Sequence, residues 1–251
     1  MADLSLSSLQ LKHAEHEVYS EILSQAVSTK QEIQKLLNDQ SVQWELCRTN
    51  KSISTYRCIS EDKSRRGHAF KTECVLEADA DSILCLMDPS APYRVDWDAN
   101  LIESRVLEEL SPNFIIVHHT LCQQLGGLIA ARDFVYFCYS ERDIQQSSQE
   151  ELTNVYFSSI PYQKCPPKSS TVRASFHPCV FSIRQTSDAK VTRVSSILQV
   201  DMNLPRIIPM PIIEATIPRE IHMFYQKLKE ACKIAAVDKE KYARLPLLAT
   251  D

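Results

Sequence analysis

Leu125-Gly-Gly-Leu-Ile-Ala-Ala-Arg-Asp-Phe-Val-Tyr-Phe137 joins a glycine-bearing apolar loop to a strand rich in aromatic and β-branched residues. The chain holds only three glycines, and two of them, Gly126 and Gly127, stand side by side here. Without a Cβ, glycine admits backbone conformations that other residues avoid, so the pair marks a point that bends or moves. Leu125, Leu128 and Ile129 flank that point with side chains that ordinarily go inside. A hinged apolar loop beside a strong strand reads as a lid over an apolar interior. The same residues also fit a well-packed surface turn.

Outward from this stretch the sequence alternates as strands do. Phe114–Cys122 precedes it and Asp133–Ser140 continues it, with Leu101–Leu107, Leu152–Ile160, Thr171–Arg184 and Val191–Met202 around them. Toward the N-terminus, Val42–Arg48, Ser52–Ile59 and His68–Ala78 read as three antiparallel strands, with a hairpin loop at Glu61–Gly67. Asp79 caps a short helix through Met87, and a second turn or helix covers Ala91–Asp98. Val18, Ile22, Ala26, Ile33 and Leu37 recur at helical spacing between polar residues, which predicts an amphipathic helix over Glu15–Leu37. Ile221, Phe224, Tyr225, Leu228, Cys232 and Ala235 form a second 3.6-residue stripe. Pro209, Pro211 and Pro218 predict kinked or separate turns before that stripe. The order is helix, long antiparallel sheet, helix, an α+β fold without a splitting linker. The divisions are 1–40 as an N-terminal helix of the same domain, 41–237 as the main domain and 238–251 as a charged tail.

Of the 251 residues, 44% are hydrophobic and 24% charged, enough to build a single core. A net charge of −4 argues against a phosphate-neutralising, nucleic-acid-binding face. No apolar run is long enough to span a membrane, and the acidic N-terminus does not resemble a presequence. The nine cysteines are odd in number and never spaced C-x-x-C, as in reduced, cytoplasmic proteins.

Known catalytic motifs are missing. With so few glycines the chain has no dinucleotide fingerprint, no P-loop and no nucleophile elbow. His13 and His16 lack further ligands for a metal, and no cofactor is expected. His118 and His119 are adjacent on a strand and face opposite sides. Arg94 and Asp98 lie four apart and share a face on a helical turn. They fit either a surface ion pair beside Trp97 or an ion pair inside a cavity.

Four blocks in order give a family resemblance: Y-R-x-x-W-D at 93–98, R-D-F-V at 132–135, C-P-P-K…V-R…H-P-C at 165–179, and P-R…F-Y-x-x-L-x-x-A at 218–231. Together they resemble START domains, the lipid-transfer domains related to the steroidogenic acute regulatory protein, from about Trp44 to Ala236. The C-P-P-K and H-P-C blocks look closest to the small soluble members that bind sterols or bile acids. The resemblance implies a helix-grip fold, a curved antiparallel sheet around the C-terminal helix with one lipid between them. It also implies that Leu125–Ile129 is a lid at the tunnel mouth, touching a membrane transiently.

Two departures bear on the ligand. The buried Glu and Arg of steroidogenic members fall at His119 and Cys138 here. The head-group Arg and Asp of the phosphatidylcholine branch match as Arg94 and Asp98, but its aromatic cage falls at His119, Phe134 and His177. Imidazoles that carry positive charge suit a trimethylammonium poorly, so the resemblance points to a sterol-like or acidic amphiphile. Strand parity turns Phe134, Tyr136 and Cys138 to one side with Ile115, Val117 and His119, and the last helix adds Phe224 and Leu228. The expected function is non-enzymatic lipid binding and transfer. The alternatives are a phospholipid carrier using Arg94 and Asp98, or a cyclase or hydrolase with His119 or Asp98 as general base.

Overall fold

In a computed structural model of the chain, residues 16–58, 69–144, 151–205 and 208–237 are described. His13, the 61–67 hairpin loop, most of the polar 145–151 connection and the 238–251 tail lie outside the described residues. The strands are β1 (Trp44–Thr49), β2 (Ile53–Cys58), β3 (Ala69–Leu76), β4 (Leu101–Ser111), β5 (Phe114–Leu121), β6 (Arg132–Ile144), β7 (Glu151–Ser159), β8 (Val172–Arg173), β9 (Ser175–Phe176), β10 (Cys179–Gln185) and β11 (Thr192–Asp201). The helices are α1 (His16–Asn38), α2 (Ala80–Met87), α3 (Arg94–Trp97) and α4 (Met210–Val237).

One antiparallel sheet runs β1-β2-β3-β11-β10-β7-β6-β5-β4, with β1 and β4 as its edges among the described residues. β8 pairs in parallel with β6, and β9 pairs with β11. The two faces have separate cores. Phe134, Tyr136 and Cys138 of β6 join a core with α2, α3 and α4 on one face. Val135, Phe137 and Tyr139 join a second core with α1 on the other. That split is the period of two expected of a strand buried on both sides.

α1 covers the second face with Tyr19, Ile22, Leu23, Ala26 and Ile33. Leu37, assigned to the docked face by spacing, is exposed, and Leu36 beside it packs against the core instead. α4 buries Ile221, Tyr225, Leu228, Cys232 and Ala235 as the stripe requires. The Tyr225 hydroxyl donates to Ser196 Oγ at 2.7 Å, which fixes the helix against β11.

Two expectations need correction. The segment 171–184 is not one strand: it divides into β8, β9 and β10, with Pro178, which has no N–H to give to a ladder, between the last two. The prolines do not separate α4 into pieces. It runs as one helix from Met210, with Pro211 in the first turn, where the missing N–H has no partner to lose, and Pro218 inside.

Candidate functional site

A cavity of about 260 Å³ lies between the sheet, α2, α3 and α4. Its polar end is built on α3. The Asp79 carboxylate caps α2 by accepting from Ser82 N at 2.7 Å. α3 hangs from α2 by two bonds: Tyr93 Oη donates to the Cys85 carbonyl at 3.2 Å and Trp97 Nε1 to the Leu86 carbonyl at 3.0 Å. The helical turn then brings Arg94 Nη1 within 3.0 Å of Asp98 Oδ2, with side chains only 8% and 13% exposed. The guanidinium lies 4.3 Å from the Trp97 ring centre and 5.8 Å from that of Phe224. Arg94 Nε is buried with no hydrogen-bond partner among the described residues. This is the cavity form of the pair, not the surface form.

His119 and Tyr136 stand on the neighbouring strands β5 and β6 at diagonal positions, His119 pairing with Phe134 and Tyr136 with Val117. Tyr136 Oη lies 3.0 Å from His119 Nδ1 and 3.2 Å from Nε2. His119 Nε2 is also 2.9 Å from Ser104 Oγ, which donates to the Pro89 carbonyl at 2.5 Å. A carbonyl only accepts, so Ser104 spends its proton there and must accept from His119 Nε2–H. That leaves Nδ1 as the acceptor of the Tyr136 hydroxyl. The network therefore assigns one tautomer and one direction along the relay.

Burial pushes the His119 imidazole well below its ordinary pKa, and the charges of Arg94 and His118 push the same way. Burial pushes the Tyr136 phenol well above its ordinary range, with Cys138 adding to the effect. The Cys138 thiol is pushed up to about 12 by burial and then by Asp88. At neutral pH all three are uncharged, and the ion pair balances itself.

Arg94, Asp98, His119, Phe134, Tyr136, Cys138 and Phe224 all reach the cavity wall. Ile115, Val117 and Leu228 do not: they are buried in the same core, but behind the wall. Parity gives a face, not a depth. His177 is on neither this wall nor this side of the sheet. It lines a polar groove beside Gln25, Thr29 and Glu32 of α1. Its neighbour Phe176 faces the cavity instead, stacked on Phe134 at 4.3 Å and 19°. The two imidazoles invoked against a choline head thus fail as a reason, since one is neutral and the other lies elsewhere.

The lid stretch is a tight turn. Gln124 and Ile129 exchange backbone bonds of 2.8 and 3.1 Å, enclosing Gly126 and Gly127 at φ +65° and +93°. Leu128 is 60% exposed, whereas Ile129 is buried and lines the cavity, so the two do not share the outward role assigned from sequence. The side chain of Leu125 is outside the described set. Just beyond, Arg132 donates to the carbonyls of Ala130, Met202 and Asn203 at 2.5, 3.1 and 3.4 Å. It ties the lid's stem to the segment that leads into α4. Asp133 faces away and gathers His118, Thr171 and Arg173 at 2.8 to 3.2 Å, holding β8 on β6.

Sequence reasoning missed Ser104 and Phe176. β4 shifts register between Leu101 and Glu103, which expels Ile102 and resets parity so that Ser104 turns inward. Phe176 was one residue away from the position read.

A START domain family model matches residues 24–234. The chain belongs to the START family. StAR-related lipid transfer protein 4 of Homo sapiens is 24% identical over 213 residues, covering 84% of this chain and 98% of that protein. StAR-related lipid transfer protein 5 of Bos taurus is 22% identical over 192 residues, 76% of this chain and 86% of the relative. The solved structure of human StAR-related lipid transfer protein 5 superposes with a TM-score of 0.75 at 19% identity, covering 86% of this chain and 99% of that one. At that identity the superposition establishes the START fold, a sheet gripping the C-terminal helix, and leaves the ligand to the residues of the site.

Proposed function

We propose that this START protein is a non-enzymatic carrier of one neutral, sterol-like amphiphile, transferred between membranes. The carrying observation is a mainly apolar cavity of about 260 Å³ with a charge-balanced polar cluster at Arg94, Asp98, His119 and Tyr136. Such a cavity stabilises an apolar body by roughly 0.8 kcal/mol for each CH₂ removed from water. The volume falls just below the usual range of roughly 300–1,000 Å³ for small-molecule sites, which suits one compact body better than a head group with two acyl chains. With Arg94 balanced by Asp98 and His119 neutral, no net positive charge awaits an acidic ligand.

The way the wall's titratable groups are engaged also supports the carrier over an enzyme. The phenol and the thiol are protonated, the imidazole lone pair is engaged by Tyr136, and the wall carboxylates Asp98 and Glu220 are held by Arg94 and Asn100. The nine cysteines are free thiols, in keeping with a reducing, cytosolic setting.

Exchange is proposed through the 125–131 turn. Ile212 of α4 lines the cavity and is 40% exposed, and Leu128 and Ile102 are 60% and 58% exposed beside the wall residues Ile129 and Leu101. These apolar side chains around the mouth give a membrane something to hold. Leu128→Asp should slow movement of a fluorescent sterol between phosphatidylcholine vesicles at least several-fold, with the equilibrium affinity unchanged. Equal transfer rates for the two proteins would remove the 125–131 turn from the mechanism.

A further inference from the structure

The polar end of the cavity has a fixed hydrogen-bonding polarity. The Pro89 carbonyl takes the Ser104 proton, Ser104 takes that of His119 Nε2, and His119 Nδ1 takes that of Tyr136. Tyr136 Oη therefore has no proton left for a ligand and presents only lone pairs. Tyr136 lines the cavity. Arg94 Nε also has no acceptor among the described residues, but it is buried from the cavity as well as from solvent and offers a ligand nothing. A ligand group that meets Tyr136 must therefore donate a hydrogen bond. A hydroxyl does so, whereas a ketone or an ether sets a second acceptor against the phenol oxygen.

We propose that this site selects alcohols over ketones and ethers of the same body, and that His119 sets the selection without needing to touch the ligand. Tyr136 makes the contact, and His119 is a positioning residue that holds the phenol as an acceptor. The proposal rests on the sterol-like carrier reading above. It goes further in assigning which head atom is recognised and why.

The test uses three sterols that share one ring system and tail: the 3-alcohol, the 3-ketone and the 3-O-methyl ether. Equilibrium affinities are measured on the full chain by competition against a fluorescent sterol. Two buried acceptors facing each other with no proton between them are costly enough to expect the ketone and ether to bind about tenfold or more weakly than the alcohol. In His119→Leu the phenol proton is released, so Tyr136 becomes a donor, and the alcohol-to-ketone ratio should fall toward one or invert. A structural role for His119 would weaken all three sterols together and leave the ratio unchanged, which overturns the relay. Should the variant not fold, the wild-type ratios still decide. Equal binding of all three overturns alcohol selection and leaves the carrier reading standing, whereas no binding of any sterol overturns both.

Discussion

Arg94 is the residue on which most of the cavity's polar end depends. It pairs with Asp98, lies over Trp97 and acts electrostatically on His119. Removing one member of a buried pair strands the other, at a cost of about 3 kcal/mol or more, while removing both with apolar residues of similar volume costs much less. Arg94→Met should therefore lose about 3 kcal/mol in urea denaturation, and the double variant Arg94→Met/Asp98→Leu should recover most of it. Equal losses for the single and double variants would mean that the pair adds nothing beyond the packing of its stems. His119 carries a second expectation. Its folded pKa lies well below the ordinary value of about 6.5, so the unfolded chain binds the proton more readily. Stability contributed here is intact above pH 6.5 and is lost as pH falls from there toward the folded pKa. By NMR, the His119 ring should show no titration between pH 6 and 8, and a midpoint near 6.5 would contradict its burial as a neutral acceptor.

Among the elements, the turn between β5 and β6 is the most sharply specified. Gly126 sits at φ +65° with no atom within 4 Å of an added Cβ. A substitution there meets no clash, so Gly126→Ala isolates the backbone cost of the left-handed conformation, about 1 kcal/mol. Thermal unfolding checks it, and a much larger loss would mean that the turn changes its conformation rather than absorbing strain. Strand parity read from Cys138 placed Phe134 and Tyr136 on the cavity and Val135, Phe137 and Tyr139 on the opposite core, as found. It worked because β5 and β6 pair without register shifts. On β4 the bulge at Ile102 turns Ser104 inward, and the cage position that the resemblance put at His177 lies next to Phe176, which lines the cavity instead. A period of two survives only while the ladder is regular. The spacing on α4 was legible for the same reason: its stripe is uninterrupted after Pro218.

For the whole molecule, the sheet separates two interiors with different tasks. The α1 side is filled by a packed core, whereas the α4 side holds a cavity closed by side chains from strands distant in sequence. No local pattern encodes such a void, which is why the blocks at 93–98, 132–135 and 218–231 located the site while the depth of Ile115, Val117 and Leu228 escaped them. The central claim is that this void carries a lipid it does not transform. Native mass spectrometry of the chain after incubation with vesicles containing a 3-hydroxysterol, followed by extraction and mass analysis of the bound fraction, tests it most directly. The account predicts one added sterol per chain, recovered at its original mass. A chain that gains no sterol, or that returns one of altered mass, would contradict it.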